Sequence, residues 1–508
     1  MNIILIMSDT FRRDAMGCYG PTQARTPRLD QFARESFIFD NAFLGSFPTI
    51  PNRLDIMSGQ FSFIDHEWCR LPADTVTVQQ VLSASGCTTM LIADNSHLIE
   101  DGYNYCRGFN GWEWIRGQES DLWYTSPKKV QLPSGGGKKN RGAKIRLPNI
   151  IRNSSWWQGE EDRHAPRTIK TACRWLELNQ DHDRFFLWLD LFDPHEPWDA
   201  PKHYLELYEK EYFGEEIPYP RYDFWREFLS EEELKHCRAL YLAEVSMVDH
   251  WVGVLMEKIE ELGMSEDTAI IFTSDHGFFF GEQGLIGKSR IVDTEDGKQQ
   301  IEAARLCHDI RSTPLLIRLP GQREAQHISA LVQSPDLMPT ILELAGLATT
   351  QVIDGEAKLQ ALQCGMFVTD QWQFRPESLH GRSLLPLLRR ETKTHRDIAV
   401  SSFTLLHHTP VLAKSAIVTQ DGMCLHYSGC YEESNIKAKM FIQAVMDRKD
   451  ARIPYLPALY DLKRDPAEAF DILESNEALA REIHQRYVKW LEEHGTPEVH
   501  LSGRRRLH

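Results

Sequence analysis

The chain is constrained most by a series of short, unbroken apolar runs, each stopping at an aspartate or a histidine. Ile3–Met7 ends in Ser8-Asp9-Thr10, and Thr88–Ala93 ends in Asp94-Asn95-Ser96-His97. Phe185–Leu191 runs into Phe192-Asp193-Pro194-His195, and Ala269–Thr273 into Ser274-Asp275-His276-Gly277. Pro314–Leu319 is a fifth run, closed by Pro320-Gly321. Between them lie helical stretches: Arg25–Arg34 with Leu29, Phe32 and Ala33 inward, Thr75–Ser83, Leu234–Leu262 closed by Gly263, and Leu337–Leu344. Strands that are apolar throughout are buried on both faces, and their alternation with helices predicts a parallel α/β sheet covered on each side. In such sheets ligands bind beyond the carboxyl ends of the strands. One aspartate at a strand end is ordinary turn chemistry. Four such ends would bring carboxylates and imidazoles to one rim.

The texture changes after residue 380. Asp397–Ser402, Ser415–Thr419 and Met423–Tyr427 predict short antiparallel strands. Glu477–His494 predicts a terminal helix with Leu479, Ile483, Tyr487 and Leu491 on one face. The expectation is a catalytic domain over residues 1–380 and a smaller C-terminal α+β domain over 381–508, with the tail Gly503–Arg506 frayed. With 508 residues there is chain enough for both. Residues 116–166 stand apart. Lys128, Lys129, Lys138, Lys139, Arg141, Lys144 and Arg146 occur with no acidic residue among them, around Gly135-Gly136-Gly137. They read as an inserted mobile loop, either merely solvated or steering an anionic substrate.

A net charge of −16 argues against nucleic acid as the main partner. No apolar run approaches the length of a membrane span, and the N-terminus lacks the basic start and cleavage site of a signal peptide. Ten scattered cysteines without a CxxC pair suit reduced thiols and a cytoplasmic location. No membrane partner is expected, and a homo-oligomer stays open.

The stretch Ser46-Phe-Pro-Thr-Ile-Pro-Asn-Arg53 reads as a turn feeding a short helix, with Pro51 in the first turn and Gly59 at the end. Thr49 then sits where free N–H groups and the helix dipole favour negative charge. Its hydroxyl is a candidate nucleophile, metal ligand or both, and Arg53, one turn on, can face the same anion. A plain N-cap threonine with a surface arginine is the simpler reading of this stretch alone.

These pieces, taken in order, resemble the sulfatase family of the alkaline phosphatase superfamily. The matching residues are Ser8-Asp9-Thr10-Phe-Arg-Arg-Asp14 with Gly17-Cys-Tyr-Gly20, Thr26-Pro-Arg-Leu-Asp30, and Thr49-x-Pro-x-Arg53. Further along come Pro194-His195-x-Pro197, Ser274-Asp-His-Gly277 with Gly287-Lys288, and Pro314-Leu-Leu-Ile317. The C-terminal part adds Gly381-Arg-Ser-Leu-Leu-Pro386 and Leu459-Tyr-Asp-Leu-x-x-Asp-Pro-x-Glu468. The resemblance implies a large mixed, mostly parallel sheet flanked by helices. It also implies one divalent metal held by Asp9, Thr49, Asp275 and His276, with Arg53, His195, Lys288 and His97 as further catalytic groups.

The departures from the family pattern matter as much. The family's sulfate-ester hydrolases place Cys or Ser, converted to formylglycine, where this chain has Thr49. The second acidic residue after the first ligand is Thr10, and the lysine of the family's GKWH segment is replaced by Asp94-Asn95-Ser96-His97. An aspartate–threonine–aspartate–histidine set resembles the phospho-transferring branches, and phosphonate monoester hydrolases share the Asp-His pair. Three oxygens and an imidazole suit Mn²⁺, with Zn²⁺ and Ca²⁺ as alternatives. Asp193 and His308 could build a second metal site. Trp112, Trp114, Trp156, Trp157 and Trp198 could line an aromatic pocket or simply pack. The reading is a metal-dependent hydrolase of a phosphodiester or phosphonate ester with Thr49 as nucleophile. The alternatives are a sulfuric ester hydrolase working without formylglycine, a phospho-group transferase, and an inactive binding protein.

Overall fold

The computed structural model describes residues 1–293, 299–347, 353–360, 367–406, 414–429 and 457–507. Its centre is an eight-stranded sheet. In chain order the strands are β1 (Asn2–Ser8), β2 (Phe37–Phe43), β3 (Thr88–Ala93), β4 (Gly111–Trp114), β5 (Phe185–Leu191), β6 (Thr268–Thr273), β7 (Leu315–Arg318) and β8 (Gln326–Gln333). Their spatial order is β8-β2-β7-β6-β1-β5-β3-β4. β1 lies between β6 and β5, parallel to both. All neighbours are parallel except at β7, which runs antiparallel to β2 and β6. The sheet is therefore mixed and mostly parallel, as the resemblance implies.

The apolar runs supply both faces. Ile4 and Ile6 of β1 pack under helix α2 (Glu231–Glu261), while Ile3, Leu5 and Met7 pack on the other side against helix α1 (Thr49–Ser58) and Leu337–Leu344. α2 starts on a Ser230–Glu233 capping box, and Gly263 beyond it is left-handed, with φ 70°. It is the one helix among the described residues long and apolar enough to cross a bilayer by composition, and 78% of that apolar window is buried inside the protein. Predicted β1, β3, β5, β6 and β7 are all present. β2, β4 and β8 were not expected.

A second, four-stranded antiparallel sheet follows: Ile398–Ser402, Ser415–Thr419, Met423–Tyr427 and Ala458–Asp461. Helix Glu477–Glu493 packs on it through Ile483, Tyr487 and Leu491. The tail is not frayed at Arg504, which is buried and donates to His500 O. Residues 116–166 are not a loose loop either. They contain the helix Arg146–Ser154, and Asn149 and Asn153 both donate to Asp121 O. Glu119, buried ahead of the cation run, supplies the counter-charge that residues 128–146 lack.

Candidate active site

Thr49 is the first residue of α1, as the proline and glycine spacing predicts. The turn before it is fixed by Asp55, whose carboxylate accepts from Ser46 N, Ser46 Oγ and Ser62 N at 2.7–2.8 Å. A Cβ on Gly45 would lie 2.3 Å from Asp55 Oδ2, so only glycine passes here. α1 is buried from end to end. That burial changes the role expected of Arg53. Its guanidinium is fully enclosed and donates to Asp190 through Nε and Nη2, each at 2.8 Å, and to Asp275 Oδ2 at 2.7 Å. It also lies 3.1 Å from Asp9 Oδ2 and donates to the Thr49 carbonyl at 3.1 Å. With these partners Arg53 grips the carboxylates and the helix start from below. It touches neither the Thr49 hydroxyl nor the open space above it.

Asp9 ends β1, and Asp275 and His276 follow β6. Thr10 adopts a left-handed φ of 60°, strained for a β-branched residue. It is held by Thr10 N to Asp275 Oδ1 at 2.9 Å and Thr10 Oγ1 to Asp9 Oδ1 at 2.8 Å. Where the family pattern has a second carboxylate, this chain thus has a donor to the first. Gly277 passes so near residue 309 that a Cβ would sit 1.9 Å from its carbonyl oxygen. His276 Nδ1 pairs with Gly277 O at 3.0 Å, which leaves Nε2 facing Thr49 Oγ1 at 3.3 Å. Burial, then Lys288, pulls the imidazole down to about 3, so it is neutral and Nε2 presents a lone pair toward Thr49 and Lys288.

Ligand atoms of Asp9, Asp275 and His276 lie within 4.8 Å of one another. The fit to a cation rests on two further observations. Burial, then Asp275, pushes Asp9 well above the usual carboxylate range, and Asp9 Oδ2 has no aligned hydrogen bond. Asp275 goes the other way: burial works against it, but His276, Arg53 and Lys288 hold it ionised. Two carboxylates, a neutral imidazole and the Thr49 hydroxyl suit a divalent ion of the Mn²⁺, Zn²⁺ or Ca²⁺ kind. The second metal pairing is not formed. Asp193 accepts from Ala165 N and Gln118 Nε2, and His308 pairs with Ser312, so neither joins a ligand cluster among the described residues. Asp94 is likewise spent on Phe192 N and Thr168.

Above Thr49 opens a cavity of about 1130 Å³. Lys288 Nζ reaches into it, 3.4 Å from Thr49 Oγ1 and 3.1 Å from the Nε2 atoms of both His276 and His195. His195 Nδ1 pairs with Glu196 O at 2.7 Å, and burial, then Lys288, holds the ring well below its ordinary value. It is a neutral imidazole whose Nε2 accepts from the ammonium. Thr49, His195, Lys288, His97 and Trp114 line the cavity. Trp198 is buried in the core beneath.

His97 lines the wall, but both ring nitrogens are taken: Nδ1 by Glu100 at 3.1 Å and Nε2 by Glu119 at 2.6 Å. Burial opposes its charge, but Glu119 overcomes it and pushes His97 up to about 9. Glu119 also accepts from Arg146 at 3.1 Å and Tyr219 OH at 2.7 Å, and lies 3.5 Å from Arg141. The basic stretch thus forms part of the cavity wall. Sequence reasoning missed Asp190, Glu119, Arg141 and Glu196. Asp190 alone left a signal: a single carboxylate inside an otherwise apolar buried strand requires a cation.

The chain matches the family model described as Sulfatase over residues 1–347. It is 22% identical to an arylsulfatase of Clostridium perfringens, across 100% of this chain and 97% of that one. It is 24% identical to an N-acetylglucosamine-6-O-sulfatase of Bacteroides thetaiotaomicron, across 93% and 82%. The phosphonate monoester hydrolase of Agrobacterium radiobacter superposes with a TM-score of 0.66 at 18% identity, covering 97% of this chain and 96% of that one. With two thirds of its length matched by the family model, including every residue of the Asp9–Thr49–Asp275–His276 cluster, the chain belongs to the sulfatase family of ester hydrolases.

Proposed function

We propose that this enzyme hydrolyses a phosphodiester or phosphonate ester through Thr49 as the covalent nucleophile. The observation that carries the reading is the Thr49 hydroxyl itself, at the start of α1 and within 3.4 Å of both His276 Nε2 and Lys288 Nζ. Threonine carries a methyl on Cβ and cannot become the aldehyde of formylglycine, whereas a threonine oxygen forms a phosphoester that water can reopen.

Asp9, Thr49, Asp275 and His276 would hold the ion, with Mn²⁺ the favoured metal. Bound there, it supplies Lewis acidity that lowers the pKa of the hydroxyl. The remaining roles belong to the chain. Arg53 fixes the carboxylates and the helix start, so that Thr49 Oγ1 meets phosphorus from a set direction. Lys288 neutralises charge growing on the ester oxygens. His195 delivers a proton to the leaving oxygen, and takes one from water when the phospho-Thr49 ester is opened.

A sulfuric ester hydrolase is the second reading. The curated relatives are named as sulfatases. One experiment separates the two. The metal-reconstituted enzyme is assayed side by side on p-nitrophenyl sulfate, p-nitrophenyl phosphate, bis(p-nitrophenyl) phosphate and p-nitrophenyl phenylphosphonate. Preference for the last two, with phosphate trapped on the Thr49 peptide after quenching, supports the proposal. Turnover of the sulfate alone overturns it.

A further inference from the structure

Glu196 occupies the variable position of Pro194-His195-x-Pro197, yet it is fully buried beside the candidate acid. One oxygen, Oε1, accepts from Arg141 Nη2 and Tyr222 OH. The other, Oε2, has no hydrogen-bond partner and lies 3.4 Å from His195 Nδ1. An enclosed carboxylate oxygen without a donor is costly unless charge appears opposite it. The group opposite is the imidazole whose other nitrogen, Nε2, lies 3.1 Å from Lys288 Nζ. The clamp on Glu196 comes from the basic stretch. Arg141 stacks on Tyr219 and Tyr222 at 4.0 and 4.5 Å, and reaches back to Glu119.

We propose that Glu196 is a positioning residue for His195, its free Oε2 stabilising the imidazolium that protonates the leaving group, with Arg141 and Tyr222 holding Glu196 in place. The inference rests on His195 acting as the leaving-group acid in the function proposed above. The imidazolium gives its Nε2 proton to the leaving oxygen as the ester P–O electron pair shifts onto that oxygen, and His195 is left neutral. Water restores the proton when it attacks phospho-Thr49, forming a P–O bond, releasing the threonine oxygen and passing a proton to His195. Glu196 takes no part in the proton transfer and changes only the charge that the imidazole can carry. The basic stretch 116–166 therefore bears on the chemistry itself, through Arg141.

The test reads rate against leaving group. Aryl and alkyl esters of phenylphosphonate with p-nitrophenol, phenol and methanol as leaving groups are compared in single turnovers of the metal-loaded full chain. A p-nitrophenolate departs without protonation and a methoxide does not. General acid assistance is worth about 10²–10⁴-fold where it is needed. Glu196→Gln is expected to slow the methyl ester roughly 10- to 100-fold and the p-nitrophenyl ester less than about threefold, steepening the dependence on leaving-group basicity. Arg141→Gln and Tyr222→Phe should steepen it less, and Arg141→Lys should recover part of the loss. A uniform slowing of all three esters by Glu196→Gln overturns the inference. Should that variant not fold, unchanged leaving-group dependence in both Arg141→Gln and Tyr222→Phe overturns it equally. Thr49→Ala keeps the two proposals apart. If it turns over normally, the nucleophile is wrong; if it is inactive on every ester while Glu196→Gln acts uniformly, only the role of Glu196 falls.

Discussion

Replacing Arg53 by methionine probes the arrangement most directly. The guanidinium and its three carboxylates are fully enclosed, with contacts to Asp190 at 2.8 Å, Asp275 at 2.7 Å and Asp9 at 3.1 Å. Removing one partner of a buried ion pair costs about 3–5 kcal/mol, because the other charge is left unpaired in a poor solvent. Three carboxylates share this cation, so the cost belongs at the upper end, about 5 kcal/mol in metal-free protein. An unfolding entropy of about 2.1 cal/mol/K per residue gives roughly 1.1 kcal/mol/K for the whole chain, hence a Tm lowered by about 4–5 °C if it unfolds in one transition. A divalent ion brings two positive charges to the same carboxylates. At one fixed, saturating Mn²⁺ concentration the gap between parent and Arg53→Met should therefore narrow, because the variant holds the ion more tightly; each tenfold lower Kd gives it about 1.4 kcal/mol more than the parent gains. Scanning calorimetry in chelator and in Mn²⁺ reads both quantities. An Arg53→Met protein that melts within about 1 °C of the parent in chelator would refute the idea that Arg53 neutralises this cluster.

Three further outcomes are expected. Asp275→Ala should reduce bound divalent metal from one equivalent to none by elemental analysis; a stoichiometric ion in the variant contradicts the ligand set. His97, held up to about 9 in the folded protein against 6.5 unfolded, contributes stability that is whole below pH 6.5 and lost as the pH rises through 9. The loss is at most about 3 kcal/mol, read by urea melts, and His97→Ala should flatten that slope. Glu468→Gln leaves Arg311 and His426 without their shared carboxylate, so it should destabilise by about 3–5 kcal/mol, and a neutral urea midpoint would argue against it.

Much of the sheet was readable because a strand buried on both faces has one simple signature. β1, β3, β5 and β6 carry it without interruption. β2 did not, since Asp40 and Asn41 break its run, and β4 exposes Trp112 and Glu113 at the sheet edge. The antiparallel course of β7 leaves no trace in five or six apolar residues. At the site, Asp9, Thr49, Asp275 and His276 were readable because each ends a strand or starts a helix, where the chain itself advertises an opening. Arg53 was placed correctly on its helix and wrongly in its duty. One turn beyond Thr49 suggests a shared anion, but full burial of α1 turns the side chain down onto Asp190. The stretch 116–166 was misread for a different reason. The cation run from Lys128 to Arg146 has no acid beside it along the sequence, while Glu119, ahead of the run, and Glu196, on another element, hold Arg141 and Arg146 only once the chain is folded.

The turn that presents Thr49 is stitched to a strand some 350 positions away. Phe47 N donates to Ser402 O and Ser402 N to Gly45 O, both at 2.9 Å, while Ser401 Oγ donates to Leu44 O at 2.6 Å. Gln333 Nε2 bridges the same seam, donating to Leu44 O and Val400 O. The position of Thr49 is thus set jointly by residues 44–47 and by the strand Ile398–Ser402. Such a protein cannot be shortened to its matched first two thirds, nor assembled by exchanging C-terminal modules between relatives, without releasing the turn. During synthesis the Thr49 turn has no fixed position until the strand Ile398–Ser402 has left the ribosome and docked beside it.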